Sequence, residues 1–236
     1  MQLRSIALAV LAVASFHTHA DTIALWDFNT FSCSSNCKEE PKGETANGGK
    51  LTMVGGVTFT SAGDAGKGSA LNTTTYAAQS TGDLTRGVQF MVNTSGYTDL
   101  VLSFTQRNSS TASAWTALQY TVDGSTWLSA TTFQMPSNKA ATFVDGLSFN
   151  FSSILEANDN ENFGIRILAT FAPGTGAYLP TSGNTYGTSG TIRYDNVLFS
   201  GTAIPETAPI PEPHTYALML AGLAAVGLMA RRRRAD

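Results

Sequence analysis

The residues of this chain that could do chemistry are few. They are three tryptophans (Trp26, Trp115 and Trp127), two tyrosines in a long Gly/Thr/Ser-rich stretch, a close pair of cysteines, and acidic residues spread through a body without histidine. The three histidines, His17, His19 and His214, all fall in terminal segments. Without them the body has no Ser-His-Asp chemistry, no imidazole base and no imidazole metal ligand. Carboxylate, tyrosine or lysine chemistry is what remains. Aromatic rings also stack on sugars. Trp115 follows the polar stretch Asn108 to Ser113, and Tyr178 and Tyr186 occupy the loop Ala172 to Gly190, so these three are the candidate ligand-binding aromatics of an exposed face. Trp26 and Trp127 lie within strand patterns and are assigned to the core.

Asp27 and Asp195 stand in the first and last strand patterns, which often pair in a sandwich. Together with Asn196 they form a candidate calcium site, because calcium takes oxygen ligands. The alternative is that Asp27 accepts local backbone hydrogen bonds and Asp195 ends its strand. No other cofactor is expected. Cys33 and Cys37 are the only cysteines, and in an exported chain they form a disulfide if the turn brings their Cα atoms within about 6 Å. A metal pair is the other reading, but there is no further Cys or His to complete a zinc shell.

These side chains need elements to hold them. The body, from Asp21 to the linker at Pro205, carries five Lys and four Arg against 14 Asp plus Glu, a net charge of −5. That balance, without a basic face, argues against nucleic-acid binding. Period-2 alternation recurs at Ile23 to Phe28, Val57 to Thr60, Val88 to Val92, Leu100 to Gln106, Ala117 to Val122, Thr126 to Ala130, Leu147 to Phe151, Phe163 to Phe171 and Thr191 to Phe199. Asp123-Gly124 reads as a tight hairpin turn, and Ser152 to Asn160 as one short helical turn. The expected fold is all-β, an antiparallel β-sandwich of jelly-roll-like type, with an N-terminal signal helix and a C-terminal single transmembrane helix. The opening strand Trp26 to Asn29, the hairpin Tyr120 to Trp127 and the closing strand Arg193 to Val197 resemble surface jelly-roll domains related to carbohydrate-binding modules and concanavalin-like sandwiches.

The two ends read as addresses. Met1 to Ala20 has a short basic start at Arg4, an apolar stretch from Ile6 to Phe16 and Thr18-His19-Ala20, the pattern of a secretory signal peptide cleaved after Ala20. After the domain at 21–200 comes a linker, 201–210, with Pro205 and Pro209. Then follow Pro211-Glu212-Pro213-His214-Thr215, an apolar run from Tyr216 to Ala230 expected as the transmembrane helix, and Arg231, Arg232, Arg233 and Arg234. Fifteen residues make roughly 22 Å of helix, short of a hydrocarbon core of about 30 Å. The arginines would hold their end on the cytoplasmic side. Motif, helix and arginine cluster resemble the PEP-CTERM sorting signal of Gram-negative bacteria. The resemblance implies processing by an exosortase, a membrane cysteine transpeptidase, with Pro211, Glu212 and Pro213 as the recognition element and Arg231 to Arg234 as the stop-transfer.

The function expected from this is an exported, non-enzymatic cell-surface or extracellular-matrix protein associated with exopolysaccharide. Its implied partners are an exosortase-type enzyme, the inner membrane and extracellular polysaccharide. The alternatives are a carbohydrate-binding module and a polysaccharide hydrolase or lyase that works without histidine.

Overall fold

Each apolar-polar alternation of the body forms a strand. The computed structural model describes residues 20–64, 68–183, 185–205 and 213–232. Among them are twelve strands: β1 (Ala20–Trp26), β2 (Glu44–Thr45), β3 (Gly49–Val54), β4 (Thr58–Asp64), β5 (Gly68–Thr74), β6 (Gly87–Val92), β7 (Tyr97–Asn108), β8 (Trp115–Thr121), β9 (Leu128–Gln134), β10 (Val144–Asn150), β11 (Gly164–Ala169) and β12 (Ile192–Ala203). β2, β3 and β5 are additions to the expected set. Leu155–Ala157 is the one short turn of helix expected between 152 and 160.

All pairings are antiparallel, and the strands form two sheets. One runs β10-β7-β12-β1-β2, with β5 also on β12 and β4 on β5; the other runs β3-β6-β11-β8-β9. Their inner faces meet in an aromatic core. Trp26 of β1 stands edge-on to Phe90 of β6 at 5.0 Å, and Phe163 stands edge-on to Phe199 of β12 at 6.4 Å. β12 organises the larger sheet. Along one side it pairs with β7; along the other it pairs first with β5, at Ile192 to Tyr194, and then with β1, at Val197 to Thr202. The handover falls at Asn196, whose φ of 49° makes a bulge. β12 runs through Ala203, opposite Tyr97, so Gly201 to Ala203 are strand residues and not linker.

The Cys33–Cys37 disulfide is formed, with Cα atoms 6.0 Å apart. Its loop is fixed to β4: the Ser61 N–H donates to the Cys33 carbonyl at 2.8 Å, and the Cys33 N–H donates to Ser61 Oγ at 3.0 Å. Since the loop it closes is short, replacing both cysteines by serine should lower stability by only about 2 kcal/mol in urea unfolding, without change of fold.

The signal peptide lies outside the described residues except for Ala20, which opens β1 opposite Thr202. Cleavage after Ala20 would leave Asp21 as the first residue, already seated opposite Gly201. The second unit of the chain, Ile204–Asp236, contains α1 (Pro213–Arg232). Proline suits the first helical position because its missing N–H would have no partner there, and Pro213 starts the helix. Pro211, Glu212, Arg233 and Arg234 lie outside the described residues. Among the described residues no helix is long and apolar enough to cross a membrane, which corrects the transmembrane helix expected at 216–230. The helix has 20 residues, but its last two are Arg231 and Arg232. The apolar part is therefore too short for the hydrocarbon core.

Candidate functional site

Strand register, more than sequence proximity, assembles the candidate site. Thr52, Gln89, Arg166, Gln119 and Ser129 are successive partners across β3, β6, β11, β8 and β9. Their flanking residues Val88, Phe90, Ile165, Ile167 and Leu118 are buried in the core. Alternation therefore turns this row to the outer face of the five-stranded sheet. Arg166 Nε–H donates to Gln89 Oε1 at 2.8 Å, which sets the plane of the guanidinium. Trp127, two residues before Ser129, covers the same face, and the Arg166 guanidinium carbon lies 3.8 Å from its ring centroid. Partial burial lowers the Arg166 pKa from its usual value, though an arginine remains charged. Trp127 was expected in the core. It is half-buried and outward because β9 begins at Leu128, leaving the tryptophan on the end of the turn.

That turn is held by Asp123, whose Oδ1 accepts the N–H groups of Ser125 (2.8 Å) and Thr126 (2.6 Å) and the Thr121 hydroxyl (3.0 Å). These hydrogen bonds pull the carboxyl pKa well below the usual carboxylate range. The positive φ of Gly124, 75°, completes the reversal. Trp115 also lies on the outer face, at the start of β8 opposite Gln134, and is half-buried. The segment before it is fixed from beneath: Asn108 Nδ2–H donates to the Ser113 carbonyl at 2.7 Å, and the Trp115 N–H donates to Ser113 Oγ at 3.2 Å.

Tyr178 and Tyr186, expected on an exposed face, are instead 1% and 8% exposed. Their rings stack at 4.6 Å, and their hydroxyls donate to the carbonyls of Gly82 (2.7 Å) and Ala77 (2.8 Å). Gln79 reinforces this by bonding both the N–H and the carbonyl of Tyr178 at 2.9 Å. The long loop is thus folded onto the body, because burying the two rings leaves no phenol unsatisfied. Burial pushes the Tyr186 pKa up to about 12 and raises those of Tyr76, Tyr178 and Tyr194. Free tyrosine ionises near about 10, so between there and about 12 the native state holds protons that the unfolded chain gives up. Stability should be full below this window and fall as pH rises through it. Phenolate absorbance should show these four tyrosines silent until the chain unfolds.

Asp27, Asp195 and Asn196 are brought near the same stretch of the β1–β12 ladder, just beyond the Trp26–Val197 pair. Asp27 accepts from the N–H and side-chain amide of Asn29, at 3.2 and 3.0 Å, as in the local alternative. Asp195 is buried, and its Oδ1 accepts the Asn196 N–H at 2.8 Å. Among the described residues no group of three or more His, Cys, Asp or Glu side chains could hold a metal ion.

Among solved structures, the chain is similar to the CBM22-1 and GH10 modules of Clostridium thermocellum xylanase 10B complexed with xylohexaose (11% identity, TM-score 0.42), over 68% of this chain and 27% of that one. It is also similar to the CBM22-1–CBM22-2 tandem domain of Paenibacillus barcinonensis Xyn10C (13%, 0.45), over 83% of this chain and 50% of that one. The CBM22-1 xylan-binding domain of the same protein matches over 80% of this chain and all of its own length (14%, 0.41). At these identities and scores no property of those modules transfers to this chain. No curated protein sequence matches it. One family model does match, over residues 209–234. The chain therefore carries a PEP-CTERM protein-sorting motif.

Proposed function

We propose that this is an exported, non-catalytic surface or matrix protein that is processed at its sorting motif and whose sandwich binds extracellular polysaccharide on the outer face of the five-stranded sheet. One observation supports the binding reading above others: the Trp127 indole has the Arg166 guanidinium 3.8 Å from its ring centroid and is half-exposed, on a face that also presents Gln89, Gln119 and Trp115. An indole fixed by a guanidinium over one face, with amide groups on the same sheet, suits a sugar, whose apolar face stacks on the other side of the ring while its hydroxyls find donors and acceptors. Passage of the full chain through a gel containing the host's secreted polysaccharide tests this. Retardation is expected, and migration equal to that in a plain gel would refute it. Turnover of the same polysaccharide by the purified chain would establish the histidine-free hydrolase or lyase in its place.

The sorting reading has its own test. Replacing Pro211 and Pro213 by alanine leaves the apolar helix and the arginines in place, so membrane engagement should persist. The unprocessed, longer form should then accumulate in the membrane fraction. If the wild-type chain keeps its tail at steady state and the variant fractionates identically, processing by an exosortase-type enzyme is wrong.

A further inference from the structure

A second site lies away from the tryptophan face, in the seam where the edge of one sheet meets the edge of the other. There a cleft of about 660 Å³ opens between the strap Lys38 to Gly43 and the start of β3, with Trp26 among its lining residues. Three of the chain's five lysines, Lys38, Lys42 and Lys50, line it. All three are exposed, and none is ion-paired among the described residues. Glu39 and Glu40 share the lining, also without ion pairs among the described residues. Trp26 is 1% exposed, and its indole Nε1–H has no hydrogen-bond partner among the described residues. A buried donor without an acceptor costs free energy unless something supplies one. The strap rests on this indole through Gly43: a Cβ there would lie 2.5 to 2.7 Å from the ring atoms, Nε1 included. Gly43 and Trp26 both line the cleft.

The mixture of charges narrows the ligand. A simple anion would be drawn by the lysines but repelled by the two glutamates. A neutral sugar would leave the lysines unused. A sugar acid satisfies both, since its carboxylate meets the ammonium groups and its hydroxyls donate to Glu39 and Glu40. We propose that the cleft over Trp26 binds a carboxylated saccharide, with Lys38, Lys42 and Lys50 taking the carboxylate and Trp26 Nε1–H donating to a sugar oxygen as the strap shifts at Gly43.

The three tryptophans allow a selective test. In the full chain with Trp115→Phe and Trp127→Phe, Trp26 is the sole tryptophan, and its emission reports this cleft independently of the outer face. Hexagalacturonate should change that emission saturably, and its carboxyl-reduced counterpart should not. Replacing Lys38, Lys42 and Lys50 together by glutamine, all exposed and outside the core, should weaken the effect about tenfold or more. Trp26→Phe, made in the chain that keeps Trp115 and Trp127, should weaken calorimetric binding of the hexamer where it folds. No emission change up to about 10 mM, weaker than most specific binding, would overturn the proposal. So would an equal response to the carboxyl-reduced hexamer, or undiminished binding by the lysine variant.

Discussion

Replacing Trp127 by alanine is expected to weaken polysaccharide binding about 30-fold, the loss of roughly 2 kcal/mol typical of a central aromatic anchor. The ring carries this effect because it is already immobilised: Arg166 lies 3.8 Å from its centroid and is itself oriented by Gln89. A sugar that stacks on it therefore loses little entropy in ordering the protein. Trp127→Phe should keep part of the affinity. Arg166→Lys should lose more than its retained charge implies, because an ammonium has no plane to lie against the indole. Since Trp127 lies outside the core, the alanine variant should unfold within about 1 kcal/mol of the wild type. Calorimetric titration with fragments of the host polysaccharide, alongside urea unfolding, separates these quantities. Equal affinity of wild type and Trp127→Ala would show that this face does not bind the polysaccharide.

The largest expected effect on stability comes from the core. Phe90→Ala should destabilise by about 3–5 kcal/mol, because the side chain is fully buried and removing it takes away the edge-on contact with Trp26 as well as apolar burial. That is a large share of the roughly 5–15 kcal/mol by which ordinary domains are stable. Leu128, 45% exposed at the start of β9, serves as the contrast. Its replacement by alanine should stay within about 0.5 kcal/mol. A lower urea midpoint with an unchanged slope for Phe90→Ala, and no shift for Leu128→Ala, is the expected pair of results.

Alternation made most of the fold legible. Strands such as β6 and β7 have a buried row and a partly exposed row over much of their length, and their period is visible in the letters alone. Two of the missed strands lack it, whereas β3 has it in Lys50-Leu51-Thr52-Met53 and was passed over. In β5 the adjacent residues Ala70 and Leu71 are both fully buried, so neither face reads as solvent, and β2 is only two residues long. The candidate site was less legible. Trp115, read as exposed, is half-buried on the outer face, and Arg166, Gln89 and Gln119 were not singled out. Each sits between apolar neighbours, in Ile165-Arg166-Ile167, Val88-Gln89-Phe90 and Leu118-Gln119-Tyr120. A lone polar residue in such a triplet marks the outer face, but only register shows that three of them adjoin. The tyrosines were misplaced for a similar reason. The carbonyls that satisfy Tyr178 and Tyr186 lie 96 and 109 residues earlier in the chain, and loop composition carries no trace of them.

Binding of polysaccharide by the outer face of the five-stranded sheet should be visible in the three indole N–H resonances. They can be assigned by single Trp→Phe variants and followed while neutral fragments of the host's secreted polysaccharide are added to the full chain. The resonances of Trp115 and Trp127 should move with the same saturation curve while that of buried Trp26 stays in place. Stationary Trp115 and Trp127 signals at saturating polysaccharide would contradict binding at this face.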